Sequence, residues 1–379
     1  MYKINRVLKT SILDDLGKEG SKINIIYWAR QVWKTTLAKE IIKKLWYKTL
    51  EISWDDIRYQ DILSSQNKDK IESLISGYDM IFIDEAQRIR NIGINLKIIY
   101  DNFPIKILVT WSSSFELANN IKESLTWRTF SYKLYPISFL ELKQTNNNFE
   151  LTNKYLENIL IYWNYPDVLL ETNLEEKRRK LIELSSSYLY KDILLLENIK
   201  YSDKLLKLLK LLAFQVWQEV SINELSNTLN LNNETVTRYI YLLEQSFVIF
   251  RLNWFSRNLR KEISKKDKIY FYDLWVRNVL IDSLNSLENR NDIWWLWENF
   301  LILERLKYNE YTWKYCSSYF WRVYSWAEID YIEEYDEKLY TYEFKWWVKN
   351  PKIPKVFEEN YPWSSFEVIN RENYLDFII

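Results

Sequence analysis

Glycine is scarce in this chain and histidine is absent. The 379 residues contain 4 glycines, whereas ordinary usage of about 7% gives about 27. The lack of histidine excludes Ser-His-Asp and Cys-His catalysis and every zinc site that needs an imidazole. The single cysteine, Cys316, excludes an internal disulfide and favours a reducing compartment, for which we take the cytoplasm.

Long apolar runs are missing as well. No 18-residue apolar stretch occurs, so we expect no membrane-spanning helix, and residues 1–5 lack the apolar segment of a signal peptide. With 52 basic and 52 acidic residues the net charge is zero, so bulk charge does not predict binding to nucleic acid. The length predicts two or three soluble domains.

Tryptophan, by contrast, occurs 19 times and stands repeatedly where a turn needs glycine. Trp111 ends an apolar run, and residues 126–128 and 273–276 have the pattern of turns with a tryptophan inside. Tryptophan is poorly suited to positive φ or close backbone approach, for which glycine is the default. We infer that most of these tryptophans are glycines in the cell.

Such a sequence arises when a gene from a lineage that decodes UGA as glycine is translated with a genetic code in which UGA specifies tryptophan. The abundance of Asn, Ile, Lys and Tyr suits an AT-rich genome. The alternative is a protein that truly is rich in tryptophan. Trp297, Trp321 and Trp346 stand in apolar or aromatic segments and are expected to be genuine.

The most informative segment follows a short apolar run, residues 23–27. With glycine at positions 28 and 33 it matches G-x-x-x-x-G-K-T, the phosphate-binding loop, whose backbone N–H groups and helix N-terminus surround phosphates. Lys34 is expected to reach the β- and γ-phosphates and Thr35 to ligate Mg²⁺. The predicted nucleotide-binding residues are Trp28, Ala29, Arg30, Gln31, Val32, Trp33, Lys34, Thr35 and Thr36.

A second motif supplies carboxylates. The apolar residues 80–83 precede Asp84 and Glu85, and this order predicts a buried strand that brings Asp84 to Mg²⁺ and Glu85 to the attacking water as catalytic base. The alternative is a solvated turn at a strand end. Together the two motifs predict ATP and Mg²⁺ as cofactors, with Lys34 and Glu85 in catalytic roles.

Further polar residues are candidates for sensing the γ-phosphate or for stabilising transition-state charge. Thr110 or Ser112, at the end of a third apolar run, is positioned to sense it, although capping of a helix by Ser114 explains the same pattern equally well. Arg128 is a candidate for stabilising transition-state charge, in cis or across a subunit interface, with a surface arginine as the alternative. Arg30 is similarly ambiguous.

Apolar runs at residues 23–27, 49–53, 80–83 and 105–110 alternate with helical patterns and predict an α/β fold with a parallel P-loop NTPase sheet. We expect this ATPase domain over residues 1–145. A helical linker (146–200), a winged-helix module (201–255) and a C-terminal α/β domain (256–379) follow.

The winged-helix prediction rests on two short helical patterns and a following strand. Ser221 and Glu224 have capping-box spacing, and the second helix, residues 234–245, carries Thr235, Thr237, Arg238 and Tyr241. Residues 247–250 are expected to begin a wing. DNA is the partner that such a module would contact, and a packing module that never touches DNA is the alternative.

These motifs together resemble a large family of prokaryotic AAA+-like ATPases with a C-terminal domain related to restriction endonucleases. The matching segments are residues 27–36, 81–87, 110–117, 125–129, 136–142, 270–278, 296–300, 328–330 and 342–346. The resemblance implies a P-loop ATPase domain, a winged helix and a nuclease-like tail. It departs from the family pattern where tryptophan replaces glycine.

In the C-terminal domain, Glu298, Asp330 and the Glu343-x-Lys345 pair match the spacing of a PD-(D/E)xK nuclease, in which the carboxylates hold Mg²⁺ and the lysine activates water. We expect these four side chains to converge, because isolated buried charges are costly. A structural salt-bridge cluster is the alternative.

The sequence therefore predicts an ATP-hydrolysing, Mg²⁺-dependent switch of the AAA+ class. The alternatives are a Mg²⁺-dependent nuclease regulated by ATP, and a non-catalytic adaptor that binds DNA or protein. We expect no membrane partner, and neither the oligomeric state nor the target is indicated.

Overall fold

The computed structural model describes residues 4–28, 31–112, 125–162, 164–184, 201–216, 218–257, 267–323 and 327–379. The chain divides into two compact units. The first comprises Met1–Ile137 together with Gln245–Phe247, and the second comprises Ser138–Glu244 together with Val248–Ile379.

The first unit is built on a five-stranded sheet in the order β2-β3-β4-β1-β5. The strands are β1 (Ile23–Tyr27), β2 (Thr49–Ser53), β3 (Met80–Asp84), β4 (Lys106–Trp111) and β5 (Thr129–Lys133). Every pair is parallel, which confirms the predicted parallel α/β sheet. The edge strand β5 is one that the sequence patterns did not indicate.

Helices connect these strands because parallel neighbours need long crossovers. They are Leu8–Gly17, Lys34–Leu45, Ile57–Leu63, Lys68–Ile75 and Ile92–Asn102, with a 3₁₀ turn at Ala86–Arg88. The middle strands are buried along almost their whole length, as expected for a sheet covered on both faces. The carboxyl ends of β1, β3 and β4 therefore meet at one edge.

The second unit begins with helices and ends with a mixed sheet. Its helices are Phe139–Lys143, Asn148–Glu150, Leu156–Tyr162, Pro166–Leu169, Leu174–Leu184, Ser202–Phe214, Ile222–Leu229, Asn233–Gln245, Leu274–Leu280, Ile293–Tyr311, Lys355–Asn360 and Tyr374–Ile378. A π-helical turn, Leu151–Tyr155, joins the second to the third. Among the described residues, no helix is both long and apolar enough to cross a membrane.

The mixed sheet has six strands in the order β11-β10-β9-β8-β6-β7. They are β6 (Ile249–Trp254), β7 (Lys268–Phe271), β8 (Ser317–Arg322), β9 (Glu328–Tyr335), β10 (Lys338–Phe344) and β11 (Ser365–Ile369). Since β6 pairs with both β7 and β8, a domain boundary after residue 255 would divide this sheet. The expected separation of residues 201–255 from 256–379 differs from the compact units for this reason.

The polar run at residues 146–148 continues into a helix, because Asn147 caps the helix Asn148–Glu150 with a reciprocal capping box to Glu150. One expectation about a turn needs correction. The expected turn at residues 273–276 is instead the start of the helix Leu274–Leu280, with Asp273 at its N-cap. Trp275 lies in that helix and is fully buried.

Among the described residues, four tryptophans adopt the left-handed backbone conformation: Trp33 (φ 68°), Trp46 (φ 56°), Trp127 (φ 67°) and Trp313 (φ 57°). Trp46 and Trp313 follow the ends of helices, where glycine commonly terminates a helix in this conformation. Trp46 and Trp127 are 92% and 86% exposed, so no packing of the indole compensates for the strain. These backbones have the geometry of glycine sites.

Replacing Trp46 or Trp127 by glycine is therefore expected to stabilise the protein by about 0.5–1 kcal/mol each. Left-handed backbone costs an L-residue roughly 1–2 kcal/mol, and the added flexibility of glycine in the unfolded chain offsets part of that gain. Urea unfolding measures the change. Trp294→Gly is the control, because Trp294 is exposed but helical, and glycine there should destabilise. Loss of stability at both test positions would contradict the expectation.

Candidate functional site

The predicted phosphate loop joins the end of β1 to the start of the helix Lys34–Leu45. Its backbone turns through left-handed conformations at Gln31 (φ 63°) and Trp33 (φ 68°). At the start of the loop the Trp28 N–H donates to the carbonyl of Trp111, at 3.1 Å. Ala29 and Arg30 lie outside the described residues. The loop thus begins beside the end of β4.

Lys34 lies at the first helical position, and its side chain is 4% exposed. Its Nζ donates to the carbonyl oxygen of Trp28 at 2.9 Å and lies 3.9 Å from Oε1 of Glu85. The ammonium group is therefore held inside the loop, between the backbone that would surround phosphates and the carboxylate that follows β3.

Asp84, the last residue of β3, accepts hydrogen bonds from two threonines. Thr35 Oγ1 lies 2.9 and 3.0 Å from its two carboxylate oxygens, and Thr110 Oγ1 lies 2.5 Å from Oδ1. Thr110 also accepts the backbone N–H of Glu85 at 2.8 Å. This chain of hydrogen bonds connects the loop, β3 and β4. The sequence motifs had offered Thr110 only as a phosphate sensor and had missed this double contact.

Glu85 follows β3 in a left-handed conformation (φ 52°). Ser112 Oγ donates to its carboxylate at 2.5–2.6 Å, and Gln87 Nε2 also donates to it. The carboxylate is thus oriented by side chains from two directions. Gln87 lies two residues further along the chain and escaped sequence analysis, because no motif marked it.

The indole of Trp28 is fully buried among aromatic side chains of the first unit. It stacks on Phe247 with ring centroids 4.2 Å apart and packs on Tyr135 at 4.5 Å. Arg6 donates to the carbonyls of both Val32 and Tyr135. Trp28 therefore fills space beside the loop that a glycine would leave to other groups.

Arg128 lies at the opposite edge of the sheet. Its carbonyl accepts the N–H of Ile23, the first residue of β1, whereas the loop follows the last residue, Tyr27. At about 3.3 Å per residue, the strand separates them by roughly 13 Å. The guanidinium forms a bidentate pair with Asp101 at 2.8 and 3.1 Å. The structure does not bring Arg128 to the loop, so the role in cis is wrong and only the role across a subunit interface stays a prediction.

The first site has ligands that suit a magnesium ion. Mg²⁺ in nucleotide sites is commonly held by one or two protein oxygens together with phosphate and water oxygens. The Thr35 hydroxyl and the Asp84 carboxylate are adjacent at the end of the loop, and Thr110 fixes the carboxylate. Thr35 and Asp84 therefore fit the ion predicted for them.

A second cluster of charged groups lies in the other unit. We call it the carboxylate–lysine cluster, and its members are Lys268, Tyr270, Glu298, Glu328, Asp330, Glu343 and Lys345. Lys268 Nζ lies 3.3 Å from Glu298 and 2.5 Å from Glu328, and its side chain is 1% exposed. The Tyr270 hydroxyl donates to Glu298 at 2.5 Å.

The remaining members are paired as well. Asp330 accepts the backbone N–H of Phe344 at 2.8 Å, and Lys345 Nζ donates to Glu343 at 2.5 Å. The four residues named by the nuclease-like spacing thus lie near one another, on the helix Ile293–Tyr311 and on or just after β9 and β10. Their chemistry also depends on Lys268, Tyr270 and Glu328, the neighbouring groups that the nuclease-like spacing did not reveal.

Burial and mutual repulsion alter the ionisation of these carboxyl groups. Burial, with the nearby charge of Asp330, raises the pKa of both Glu298 and Glu343 to about 7, and burial raises that of Asp330. Burial alone would lower the pKa of Lys268, but the charges of Glu298, Glu328 and Asp330 more than offset it, and the net pKa is raised. Lys268 therefore stays protonated near neutral pH.

The second cluster does not fit a metal ion. Within the described part of the chain, no three or more carboxylate or thiol side chains are arranged to hold one. Lys268, Tyr270 and Glu328 were missed by the sequence motifs. The available signal was a lysine and a tyrosine alternating on one face of a short apolar strand, Lys268–Phe271.

The helices expected for the winged-helix module are present, as Ile222–Leu229 and Asn233–Gln245. Ser221 caps the first by accepting the N–H of Glu224. On the second, Thr237, Arg238 and Tyr241 are exposed and Thr235 is partly buried.

A parallel sheet whose central strands end in a loop of phosphate-binding pattern and a carboxylate pair is the arrangement of P-loop nucleotide-binding domains. Comparison of the sequence with family models agrees, since residues 20–143 match an AAA domain. Residues 153–286 match a domain of unknown function, and that match crosses from the predicted linker into the mixed sheet.

Three relatives of this chain are proteins described as uncharacterised. Two uncharacterised proteins of Methanocaldococcus jannaschii are 23% and 26% identical, each over 72% of this chain. The chain spans 65% and 64% of their lengths. An uncharacterised protein of Haemophilus influenzae is 23% identical over 73% of the chain and 72% of its own length.

Solved structures with partial similarity include two replication and recombination proteins. The replication initiator DnaA bound to AMPPCP and single-stranded DNA has 18% identity and a TM-score of 0.34, covering 64% of this chain and 89% of that one. The Thermotoga maritima RuvB Holliday junction branch migration motor has 15% identity and a TM-score of 0.35, covering 65% and 90%.

The threonine that joins β4 to β3 gives a direct test of the first site. Thr110→Val keeps the shape but removes the acceptor of the Glu85 N–H and a donor to Asp84, so stability should fall by about 1–3 kcal/mol. Thr110→Ser keeps the hydroxyl and should retain most of that stability. Denaturant unfolding compares the two, and equal stability of the Val and Ser variants would show that the hydrogen bonds contribute nothing.

Proposed function

We propose that the protein is an ATP-binding and ATP-hydrolysing switch that depends on Mg²⁺. The observation that carries this proposal is the hydrogen-bonded chain Thr35–Asp84–Thr110, which links the phosphate loop to the carboxylate at the end of β3. Phosphate contacts, a metal ligand and a candidate base thereby lie within one short edge of the sheet. The AAA domain match over residues 20–143 supports the same function.

Each side chain of this edge has a distinct task in the proposal. The loop N–H groups and Lys34 bind the β- and γ-phosphates, as in P-loop sites generally. Thr35 and Asp84 hold the Mg²⁺ ion, which neutralises charge that develops on the phosphate oxygens. Glu85 orients and polarises the attacking water.

Ser112 is the proposed sensor of the γ-phosphate. Its hydroxyl now donates to Glu85, so a phosphate oxygen arriving beside it competes with the carboxylate for the same proton. Loss of that hydrogen bond would free Glu85 to accept from water. Lys34, 3.9 Å from the same carboxylate, would likewise turn toward phosphate.

The proposal includes glycine at positions 28 and 33 of the cellular protein. The left-handed backbone at position 33 supports it, as do the three other left-handed tryptophans. UGG codons at positions 28 and 33 of the gene would contradict it.

DNA binding through the helix Asn233–Gln245 is a further part of the proposal. The antiparallel pair β6–β7 and the bridge from Glu219 to Lys268 support a winged-helix arrangement around the two helices. Exposed Arg238 provides a contact for phosphate. A protein partner on this surface, with no DNA involved, remains the alternative.

A Mg²⁺-dependent nuclease is the second candidate function. The proximity of Glu298, Asp330, Glu343 and Lys345 supports it, and the lack of a metal-holding arrangement opposes it. We therefore leave it out of the leading proposal. DNA cleavage abolished by combined Glu343→Ala and Lys345→Ala changes would restore it.

Calorimetric titration with ATP–Mg²⁺ tests the central claim. The protein with Trp28→Gly and Trp33→Gly is expected to bind, because the loop can then close around phosphate. The chain with tryptophan at both positions should bind ATP–Mg²⁺ at least about tenfold more weakly, since the indole at 33 competes for phosphate space. Lys34→Ala in the glycine protein is the control and should abolish binding. No binding of the glycine protein at millimolar ATP would overturn the proposal.

The catalytic role of Glu85 is tested by Glu85→Gln in the same glycine protein. The amide keeps size and can still meet Ser112, so ATP binding should be retained. Hydrolysis should slow by about 10²–10⁴-fold, because the water loses its general base. Single-turnover phosphate release and titration separate the two effects, and unchanged hydrolysis would exclude Glu85 as the base.

A further inference from the structure

Lys268 is the least exposed charged group of the carboxylate–lysine cluster, and it faces two carboxylates. Its side chain is 1% exposed, and Nζ lies 3.3 Å from Glu298 and 2.5 Å from Glu328. The strand β7 delivers it, while the helix Ile293–Tyr311 carries Glu298 and β9 carries Glu328. One ammonium group therefore joins three elements of the second unit.

The other polar groups of the cluster also have donors from within the protein. Tyr270 donates to Glu298, the Phe344 N–H donates to Asp330, and Lys345 donates to Glu343. A divalent cation would need these carboxylate oxygens to turn toward one point. The described side chains are not so arranged.

The electrostatic argument favours an internal cation. Buried carboxylates are strongly destabilising unless an opposite charge or a hydrogen-bond donor compensates for lost water. Four carboxyl groups face one another here. Lys268 lies between Glu298 on the helix Ile293–Tyr311 and Glu328 on β9. Lys345 pairs with Glu343 at the margin, where its side chain is 24% exposed.

We propose that Lys268 is the permanent cation of this cluster and that it balances Glu298 and Glu328 without a divalent ion. On this proposal the second unit folds with its four carboxyl groups close together and needs no metal ion to do so. The proposal concerns a different unit from the ATPase site and stands whether or not ATP binds.

Unfolding of the full chain, measured in the absence of nucleotide, tests whether Lys268 stabilises the second unit. Lys268→Met should lower the folding equilibrium constant by at least about a hundredfold, because Glu298 and Glu328, whose side chains are 13% and 25% exposed, lose their buried cation. Adding Glu298→Gln and Glu328→Gln should recover most of the loss, since the charges left unpaired are then gone. Lys345→Met is the matched control at the partly exposed lysine, with a loss under about tenfold.

Mn²⁺ binding, measured by electron paramagnetic resonance on nucleotide-free protein, tests the metal-free part. The unaltered chain and Asp330→Asn should bind the same amount of Mn²⁺. Mn²⁺ should raise the unfolding midpoint of Lys268→Met and leave that of the unaltered chain unchanged.

Three results would overturn the proposal. The first is Mn²⁺ bound by the unaltered chain and lost in Asp330→Asn. The second is a Lys268→Met variant as stable as Lys345→Met. The third concerns the case in which Lys268→Met does not fold. Failure of the triple variant to fold as well would then show that Lys268 is needed for something other than neutralising Glu298 and Glu328.

Discussion

Both candidate sites depend on the compensation of carboxylates held away from bulk water. In the first unit the compensating groups are mainly neutral: Thr35 and Thr110 donate to Asp84, and Ser112 and Gln87 donate to Glu85, with the Lys34 ammonium 3.9 Å from Glu85. In the second unit they are mainly ammonium groups, with Lys268 between Glu298 and Glu328. Neutral donors leave the carboxylates charged and able to accept a cation, whereas ammonium groups already supply the cation. The two sites differ in chemistry for this reason.

Backbone conformation imposes the second constraint on the nucleotide site. The loop needs a left-handed residue directly before its helix, and Trp33 occupies that position with φ 68°. A side chain there projects where phosphate would lie, and at position 28 the indole fills an aromatic pocket beside Phe247 and Tyr135. The fold tolerates both indoles because they lie at the end of the sheet, outside the hydrogen-bonded ladder. Nucleotide binding is thus more sensitive than the fold to the identity of these residues.

The two units support different kinds of functional argument. In the first, motif, geometry and family match agree on an AAA-type domain, so the proposed chemistry follows from named atoms. In the second, the charged residues with nuclease-like spacing are close together, yet each is paired inside the protein. Spacing alone therefore does not establish the chemistry of these residues.

The sequence by itself determined the parts of the protein that are local along the chain. The loop at residues 28–35, the Asp84–Glu85 pair and four of the five parallel strands follow from short patterns, because each pattern is fixed by neighbours within a few residues. The short, polar edge strand Thr129–Lys133 has no such pattern, since one side of it faces no partner. The end of the first sheet that carries the phosphate loop, and most of that sheet, were predictable in this way.

Tertiary structure alone decided which distant residues meet. The parallel direction of the strands put Arg128, at the amino end of β5, at the opposite end of the sheet from the loop, and pairing of β6 with β7 and β8 joined two predicted domains into one unit. It also brought Lys268 to Glu298 and Glu328, which lie 30 and 60 residues further along the chain. Contacts of this kind depend on sheet order and helix packing over the whole unit, and no local pattern in the sequence encodes them.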